Sequence, residues 1–563
     1  MKKINVFGMH CFVQLLFVWI IISVINAAPA IDTVWHQHEN IVQSGLYGPT
    51  DHVVILNSTN LKNSIYGSEN AWVVEFYANW CPHCQRFSAK WKTLAHSIDN
   101  WKDIVNIGVF DCATVENTPF CRDYKVMTVP TIKYFSPYSQ MGELGLYIKK
   151  SEIVEVMRRK IIDTLKNDTT HNVSWPNFAP LKDLQPNDMF AGQPMNIKYS
   201  FIIFEKDNSY LGSIVILDFH NISQISVQRV SSANEELCNA FKVTEFPTLI
   251  AVERENSISN LNLSTPSRTS IYNAIKNYLK TKNIELDMLD IIEDSEIEEK
   301  YKPKKNINRN NMIKLKDDNI YQVDLEKALH YSLEQEISLS QNITGEKLEA
   351  LKNYLQVLAG YFPMKFGSSQ YLKNIYNTVK NKTTIDDNEF RNLIALIKNE
   401  SNQSKEFEWI GCKSSLPHLR RYTCGLWTMF HTLTVQYAIA TDENHLNTDV
   451  GEKVILAIYG YAKYFFGCSH CAEHFVYMAE KNNITEHRTA DQSVLWLWKA
   501  HNEVNLRLAN DATEDPEYPK IQYPSKVHCP ACRNDNETWN EPEVLKYLKE
   551  KYGGSRIKYD LTS

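Results

Sequence analysis

The apolar positions of the chain change their period about halfway along it. In the first half they come in short β-rich runs such as AWVVEFYA at 71–78, VNIGVFDC at 105–112 and FIIFEKD at 201–207. The run SIVILDF at 213–219 is equally apolar and also predicts a strand. After about residue 320 the apolar residues recur with helical period, in YQVDLEKALHYSLEQEI, EKLEALKNYLQVLAGYF and the stretches 426–440, 454–466 and 494–508. The pattern predicts an α/β N-terminal half and a mostly α-helical C-terminal half.

The first residues of the chain have the pattern of a secretory signal peptide. Lys2 and Lys3 precede an apolar run from about Cys11 to Ile25, and small residues follow it. A signal anchor that stays in the membrane is the alternative interpretation. No later run is long and apolar enough to span a bilayer. We therefore expect a chain without a transmembrane anchor after cleavage, in the lumen of the endoplasmic reticulum or Golgi or secreted.

Sequons and charge limit the partners that this chain can have. Asn-x-Ser/Thr sequons, the mark of a glycoprotein on the secretory route, include those at Asn57, Asn167, Asn221, Asn262, Asn342, Asn381, Asn483 and Asn536. The formal net charge is only -6, and both signs are spread along the chain without a basic stripe. Nucleic acid is therefore not an expected partner.

Most of the 12 cysteines stand in close pairs. Apart from Cys11, in the predicted signal peptide, and Cys238, which stands alone, they form the pairs Cys81/Cys84, Cys112/Cys121, Cys412/Cys424, Cys468/Cys471 and Cys529/Cys532. In an oxidising compartment such pairs favour disulfides over free thiols. Sequence spacing alone leaves the connectivity open.

A Cys-x-x-Cys pair follows the first strong strand run. Cys81-Pro-His-Cys84 separates AWVVEFYA from the helical segment QRFSAKWKTLAHSI, and Val129-Pro130-Thr131 precedes a later strand, IKYF. A strand, a CxxC at a helix start and a late proline are the layout of a thioredoxin domain. A proline in this setting is usually cis and lies beside the reactive cysteines, so we expect Pro130 to belong to the site.

The placement of this pair predicts its chemistry. Cys81 meets the positive end of the helix dipole, which stabilises its thiolate, and His83 adds a second stabilising group. Cys84 is then the resolving partner, and Glu75 on the preceding strand is positioned to shuttle protons. The segment VVEFYANWCPHC closely resembles the active domains of protein disulfide isomerases, although these usually have Gly where this chain has Pro82. The Pro-His dipeptide resembles that of the strongly oxidising bacterial periplasmic oxidases.

The same layout returns without its cysteine pair. FIIFEKD, the helical segment SANEELCNAF and Phe246-Pro247-Thr248-Leu249 repeat the order of strand, helix and late proline, but no CxxC occurs among them. We predict a redox-inactive thioredoxin-like domain that serves as a scaffold or docks clients. Cys238 is interpreted there as a small buried apolar residue.

Residues 284–318 have the composition of a linker. The acidic run EDSEIEEK is followed by a Lys- and Asn-rich stretch, and we expect most of these charges to be solvated. If the domains on either side must approach and separate, this segment is a mobile hinge region. That role is a hypothesis from composition.

The C-terminal half concentrates histidine, tryptophan and asparagine around a second CxxC, Cys468-Ser-His-Cys471. Trp427 and His431 share one helix face, and a second face carries Trp498, His501, Asn502 and Asn505. Aromatic rings beside amide and cationic donors suit a planar, phosphate-bearing cofactor. The alternatives are a helical core with satisfied polar groups, and a zinc site formed by Cys468, Cys471 and His474 with Cys529 and Cys532. The secretory route favours disulfides over a metal site, and we therefore expect no bound metal ion.

The segments RRYTCGLWTMFH, FFGCSHCAEHF and VLWLWKAHNEVNLRLA resemble the FAD-binding domain of the Erv/ALR sulfhydryl oxidases. Joined to a thioredoxin pair, they resemble the quiescin sulfhydryl oxidase family over nearly the whole mature chain. The resemblance implies FAD as cofactor, bound by Arg420, Trp427, His431, His470, His474, Trp498, His501, Asn502, Asn505, Lys520 and Tyr523. His470 stands where an acidic residue is expected, and Tyr523 where Trp is expected. Cys412–Cys424 and Cys529–Cys532 resemble the accessory disulfides of the family, and Cys112–Cys121 is expected to join the first thioredoxin domain.

The resemblance also implies a reaction. Thiols of reduced secretory proteins would pass electrons to Cys81/Cys84, then to Cys468/Cys471, then to FAD and dioxygen, with release of hydrogen peroxide. We expect Cys81 to attack at Cys468, which frees Cys471 to reduce the flavin. Cys529–Cys532 is interpreted as a structural clasp, although a redox role is open for it. The alternative functions are a disulfide isomerase whose helical half only binds clients, and a non-enzymatic adhesion or retention protein.

The predicted fold class is therefore multidomain, α/β followed by all-α. Two thioredoxin-like domains precede a helical region and an Erv/ALR-type FAD-binding bundle. The predicted boundaries are 1–28 for the signal peptide, 31–165 for the redox-active thioredoxin domain, 170–283 for the inactive one, 284–318 for the linker, 319–405 for a helical Erv-like segment, 406–545 for the FAD-binding domain and 546–563 for a C-terminal tail.

Overall fold

A computed structural model gives the architecture. The structure describes residues 45–170, 175–182, 190, 193–255, 257–286, 288–302, 318–364, 369–400, 408–443, 451–486 and 489–559. The predicted signal peptide lies outside the described residues.

The first domain is a five-stranded sheet flanked by helices. Its elements are β1 (Val54–Leu56), α1 (Leu61–Ile65), β2 (Ala71–Tyr77), α2 (Pro82–Ser97), β3 (Val105–Asp111), α3 (Thr118–Asp123), β4 (Thr131–Phe135), β5 (Leu146–Ile148) and α4 (Val154–Asn167). The strand order is β1-β3-β2-β4-β5. Strands β1, β3 and β2 are parallel, β4 is antiparallel to β2, and β5 is antiparallel to β4. Every residue of β2 is buried, as expected of a central strand with both faces covered. This is the predicted thioredoxin fold.

The second domain repeats that topology with four strands. It comprises β6 (Tyr199–Glu205), α5 (Leu211–Phe219), β7 (Ile225–Ser231), α6 (Glu235–Ala240), β8 (Thr248–Glu253), β9 (Ile258–Leu261) and α7 (Arg268–Thr281), in the order β7-β6-β8-β9. The prediction of a strand at 213–219 is wrong, because this run lies in helix α5. The strands β6 and β7 pair in parallel, which requires a crossover connection, and α5 supplies it. Since all of 212–219 is buried, no polar face was present to show the helical period.

The C-terminal half is a helical bundle, as predicted. Its first part contains β10 (Ile320–Tyr321), α9 (Gln322–Tyr331), a π-helical turn (Ser332–Glu336), β11 (Asn342–Thr344), α10 (Gly345–Tyr361), α11 (Ser369–Val379), β12 (Thr384–Asp386) and α12 (Asp387–Glu400). Its second part contains α13 (Arg421–Glu443), α14 (Lys453–Tyr464), α15 (Ser469–Lys481), α16 (Ala490–Leu508), α17 (Glu541–Tyr552) and β13 (Ile557–Lys558). Helix α13 packs against α9, α16 and α17, and α10 packs against α14. None of the described helices is both long and apolar enough to span a bilayer.

Two predicted boundary segments contain secondary structure. Helix α8 (Asp294–Tyr301) lies inside the predicted linker and packs on α2, where the Lys90 ammonium contacts Glu298 at 2.7 Å. Residues 303–317 lie outside the described residues. Helix α17 runs across the predicted start of the C-terminal tail, and β13 beyond it pairs with β10.

A buried carboxylate joins the two thioredoxin-like domains. Asp218, on α5, is fully buried and accepts a hydrogen bond of 2.8 Å from the Trp101 indole N–H of the first domain. It also accepts a bond of 2.8 Å from Arg268 Nε, and Arg268 Nη2 donates to the Ser97 carbonyl at 2.8 Å. Removing one partner of a buried, hydrogen-bonded ion pair leaves an uncompensated charge, which is strongly destabilising.

We therefore predict that Asp218→Ala lowers the free energy of unfolding by about 3–5 kcal/mol, because it leaves a buried guanidinium without its partner. Asp218→Asn, which keeps an acceptor for the Trp101 N–H, should cost less. Chemical denaturation followed by tryptophan fluorescence measures both. An Asp218→Ala chain that unfolds at the same denaturant concentration as the parent would contradict the role of this pair.

Candidate active site: two cysteine pairs and an adjoining cavity

The first cysteine pair stands where strand β2 meets helix α2. Cys81 is the residue before the helix and Pro82 is its first residue, a position where the missing N–H of proline costs nothing. Cys81 and Cys84 are free thiols and are both fully buried. The Val129–Pro130 peptide beside them is cis. The local sequence thus builds an N-terminal helix turn that holds both sulfurs.

The two thiols of this pair differ in acidity. Burial acts to raise the pKa of Cys81, but hydrogen bonds from the Cys84 thiol and from the N–H groups of Cys84 and His83 outweigh it and lower that pKa. The pKa of Cys84 is raised well above its ordinary value, first by burial and then by its bond to Cys81. Cys81 is therefore the thiolate of the pair and Cys84 holds the proton.

A buried carboxyl lies behind this pair. Glu75 on β2 is fully buried and accepts a hydrogen bond from the Tyr47 hydroxyl, while its Oε1 has no partner among the described residues. Burial and, after it, the charge of Cys81 raise its pKa to about 8, although the bond from Tyr47 acts to lower it. A carboxyl with this pKa exchanges protons near neutral pH, which the predicted shuttle role requires.

The second cysteine pair faces the first. Cys468, joined to Cys471 by a disulfide, is the residue before helix α15, and its Sγ lies 2.7 Å from Cys81 Sγ. A backbone bridge aligns the two: the Val129 N–H donates to the Gly467 carbonyl at 2.8 Å, and Val129 pairs with Cys468 as in a parallel sheet. The structure thus places a nucleophilic thiol against the disulfide that it would reduce.

Aromatic packing around Trp80 closes this interface. The Trp80 ring lies against Tyr331, Tyr422 and Phe466 with centroid distances of 5.9, 5.0 and 5.4 Å. Its indole N–H donates to the Tyr331 hydroxyl at 2.5 Å. On the other side, Gln85 Nε2 donates to the His418 carbonyl at 2.6 Å. These contacts exclude water from the sulfurs.

His83 and His470 face each other across the same interface. Their ring centroids are 5.2 Å apart, and the His83 ring also contacts the Lys150 ammonium at 3.1 Å. Burial, together with the charges of His83 and Arg86, lowers the pKa of His470. His470, predicted as a cofactor residue, therefore contacts the other domain and does not line the cavity described next.

A cavity of about 460 Å³ opens beside Cys471 and lies within the helical bundle. The predicted cofactor residues that line it are Arg420, Trp427, His474, His501, Asn505, Lys520 and Tyr523. The indole of Trp427 and the imidazole of His501 stack at 4.1 Å and are nearly parallel. The cavity therefore combines flat aromatic walls with cationic side chains.

The remaining predicted cofactor residues support the lining from behind. The Trp498 indole N–H donates to the Tyr523 carbonyl at 2.6 Å, and Asn502 bonds to both the carbonyl and the N–H of Tyr523. His431 contacts His501 at 3.0 Å, and burial lowers its pKa to about 3, so it is neutral. These side chains position the lining residues Tyr523 and His501.

Sequence reasoning missed cavity residues on α17. Lys551 and Tyr552 line the cavity, and the Lys551 ammonium donates to the Tyr523 hydroxyl at 2.5 Å and also contacts Asp318. Tyr547 of the same helix also donates to Asp318. The helical period of EPEVLKYLKEKY is the signal that could have found this helix, but it contains no residue type that indicates a ligand.

The donors of the cavity fit a dinucleotide with phosphate groups. Among the described residues, the Lys520 ammonium has neither a hydrogen bond nor an ion pair, although burial lowers its pKa. Burial likewise lowers the pKa of Arg420, and the buried Nδ1 of His474 has no partner. Buried cations and unpartnered polar atoms are costly unless a ligand satisfies them, and phosphate oxygens do so well. FAD, implied by the sequence resemblance, meets these requirements.

Four family models match the chain in succession. They are "Thioredoxin" at residues 52–159, "QSOX Trx-like domain" at 174–281, "Flavin adenine dinucleotide (FAD)-dependent sulfhydryl oxidase" at 316–415 and "Erv1 / Alr family" at 424–524. The last two together contain the cavity residues from Asn319 to Tyr523, except Arg420 and Thr423, which lie between the two models. FAD is accordingly the cofactor of this chain.

We predict that Lys520→Ala weakens FAD binding at least about tenfold, because a charge-assisted hydrogen bond contributes about 1.5–3 kcal/mol. Titration of the apoprotein with FAD, followed by quenching of flavin fluorescence, measures it. The matched control is Lys526→Ala, which removes an exposed ammonium paired with Glu537 at 2.5 Å. Equal affinities of the two variants would contradict a phosphate contact by Lys520.

Known sulfhydryl oxidases match most of the chain. Sulfhydryl oxidase 1 of Homo sapiens is 34% identical over 92% of this chain and 68% of its own length. Sulfhydryl oxidase 2 of Mus musculus is 31% identical over 90% of this chain and 73% of its own length. The solved sulfhydryl oxidase fragment of human QSOX1 is 37% identical, with a TM-score of 0.40, over 43% of this chain and 99% of that one. The chain belongs to the family of FAD-dependent sulfhydryl oxidases in which thioredoxin domains are joined to an Erv1/Alr domain.

Proposed function

We propose that this sulfhydryl oxidase works as a relay of two cysteine pairs. Client thiols reduce Cys81–Cys84, and this pair in turn reduces Cys468–Cys471. The observation that carries the proposal is the distance of 2.7 Å between Cys81 Sγ and Cys468 Sγ. That distance approaches the S–S bond length of about 2.05 Å, and the two cysteines are 387 residues apart along the chain.

The client step uses the acidity difference within the first pair. A client thiolate attacks Cys81 Sγ of the oxidised pair, and the electron pair of the broken bond leaves on Cys84, whose raised pKa makes it take up a proton. A second client thiolate then attacks the client sulfur of the mixed disulfide and releases Cys81 as thiolate. The client leaves with one disulfide, and Cys81 and Cys84 are reduced.

The interdomain step follows from the geometry of the docked domains. The Cys81 thiolate attacks Cys468 Sγ, a Cys81–Cys468 bond forms, and the electron pair leaves on Cys471. Cys84 then loses its proton and attacks Cys81, which releases Cys468 as thiolate and restores the first disulfide. Glu75, with its pKa of about 8, is the buried base placed to accept that proton.

Cys471 faces the cavity in which FAD would be held. Cys471, Trp427 and Phe475 all line it, so the sulfur that leaves in the interdomain step is adjacent to the aromatic walls. The bound flavin supplies a two-electron acceptor that is reoxidised by dioxygen, which yields hydrogen peroxide. Arg420 and Lys520 would hold the phosphates, and the Trp427 and Phe475 rings would exclude water from Cys471.

The docked state must open for the client step. Cys81 is fully buried beneath the helical bundle, so no client thiol reaches it there. The segment 284–318 is our candidate for the hinge, since it connects the thioredoxin pair to the bundle. Its helix α8 stays with the first domain through the bonds of Asp294 to Arg158 and of Glu298 to Lys90.

Reduced proteins of the secretory pathway are the proposed clients. The asparagines of the sequons named above are exposed at every one of the eight positions, where an oligosaccharide would meet no steric obstacle. Together with the predicted signal peptide, this supports a location in the endoplasmic reticulum, the Golgi or outside the cell. A disulfide isomerase without oxidase activity is not favoured, because FAD-dependent oxidase models match the helical half.

Cys81→Ser should abolish the oxidation of a reduced protein and leave oxidation of small dithiols that reach Cys468–Cys471 directly. Oxygen consumption with reduced ribonuclease and with dithiothreitol, each with peroxide quantified, separates the two. Cys238→Ser is the control, since this thiol is buried in the second thioredoxin-like domain. Equal rates of Cys81→Ser and parent on the reduced protein would refute the relay.

Cys471→Ser should retain FAD but isolate it from thiols. We expect the visible flavin spectrum of this variant to persist in anaerobic dithiothreitol, whereas the parent spectrum bleaches. Because Cys471 is the sulfur of its pair that lines the cavity, Cys468 has no path to the flavin without it. Bleaching of Cys471→Ser at the parental rate would contradict this assignment.

A further inference from the structure

A carboxyl group of the helical segment 319–405 lies beside the interdomain contact. Glu336 is the last residue of the π-helical turn Ser332–Glu336 that follows α9, and its side chain is buried. Its Oε2 accepts a hydrogen bond of 2.7 Å from the N–H of Gly467, the residue before Cys468. Single π-helical turns interrupt α-helices mainly at functional sites, because they shift the side chains that follow.

The Gly467 peptide is held from both sides. Its N–H bonds to Glu336 in the bundle, and its carbonyl accepts the bond of 2.8 Å from the Val129 N–H in the thioredoxin domain. A Cβ at position 467 would lie 3.2 Å from Glu336 Oε1, so glycine permits this close approach. Glu336 and Val129 together fix the backbone that presents Cys468 to Cys81.

We propose that Glu336 is a positioning residue of the interdomain exchange, and that its carboxyl holds Gly467 and Cys468 against the Val129–Pro130 turn. The inference rests on the proposed relay. It assigns to the segment 319–405 a role in the reaction, although that segment contributes no cysteine.

The surroundings of Glu336 keep it protonated in the docked state. Burial and, after it, the charge of Cys81 raise its pKa to about 8, although the bonds from Gly467 and Tyr461 act to lower it. No cation takes part in this balance. The titratable groups that face it are Tyr331 on its own helix, Tyr354 on α10, Tyr422 on α13, Tyr461 on α14 and Cys81 on the thioredoxin domain.

The sign of the pH dependence follows. Domain closure around an ionised carboxylate requires its desolvation, so closure takes up a proton wherever the open state has lost it. Closure of the parent chain should weaken as the pH rises toward 8, and the ionised group should also repel the Cys81 thiolate above that pH. A glutamine at 336 accepts the same N–H bond and has no proton to take up.

The test isolates the contact from the flavin. In the full chain with Cys84→Ser, Cys471→Ser and Cys238→Ser, Cys81 and Cys468 are left to pair with each other or with glutathione. Oxidised glutathione converts the two thiols into the Cys81–Cys468 disulfide and releases two molecules of reduced glutathione. The equilibrium constant is measured at pH 7 and pH 9 by acid quenching, alkylation and mass spectrometry of the cross-linked peptide.

Three substitutions are compared in that background. Glu336→Leu, which leaves the Gly467 N–H unpaired, should give a constant about tenfold below that of Glu336→Gln at both pH values. Glu336→Gln should exceed the parent at pH 7, where the open parent has already lost its proton, and exceed it severalfold more at pH 9. Glu334→Gln, two residues away and paired with His330 at 3.1 Å, removes a charge of the same turn and should follow the parent.

The outcomes separate this inference from the relay. Absence of the Cys81–Cys468 disulfide in the background chain itself would overturn the relay. Formation of that disulfide with equal constants for Glu336→Gln and Glu336→Leu would overturn the positioning role alone. If circular dichroism shows that Glu336→Leu does not fold, Glu336→Gln is compared with the parent instead. If the equilibrium constants of these two chains change by the same factor between pH 7 and pH 9, the role of the neutral carboxyl is refuted.

Discussion

The contact of Cys81 with Cys468 can exist only because both sulfurs are removed from water. Each is fully buried, and each stands at the residue before a helix, α2 in one domain and α15 in the other. Burial alone would raise the pKa of a thiol and make it a poor nucleophile. The helix N-termini and their N–H groups offset that effect, so a thiolate can persist in a dry interface. The aromatic packing on Trp80, the bridge at Val129 and the buried carboxyls all serve this one requirement.

The two helix starts also give the electron transfer a direction. Cys471 and Cys84 occupy the first turns of their helices, where a leaving thiolate is stabilised by the dipole. Cys84 nevertheless has a raised pKa, because it is fully buried and bonded to Cys81, whereas Cys471 lines the large cavity. The negative charge that appears when the second disulfide opens therefore develops on the cavity side. In this geometry the charge is delivered to the place where the cofactor is held.

Much of this arrangement was predictable from the sequence, and the exceptions share a cause. The thioredoxin layout, the helical half and the cysteine pairs follow from periodicity and from short-range motifs. Helix α5 was predicted as a strand because its apolar run is buried on all sides, which removes the period that distinguishes a helix from a strand. The roles of Lys551 and Glu336 were not predicted, because lysine and glutamate in helical segments normally face solvent. Only the tertiary packing buries Lys551 beside the cavity and Glu336 beside the interdomain contact. Trp498 and Asn502, which were expected to contact the cofactor, bond to Tyr523 and lie behind the cavity wall.

The docked geometry also explains why the chain needs separate modules. The bundle here buries the Cys81 sulfur and bonds to the Val129 N–H, so a client thiol reaches Cys81 only after the bundle has moved away. Client and bundle therefore exclude each other, and the same thiol serves both in turn. Tight docking would stop the client step, and loose docking would stop the exchange. A carboxyl such as Glu336, which satisfies the Gly467 N–H but resists burial once ionised, keeps the docked state specific without making it permanent.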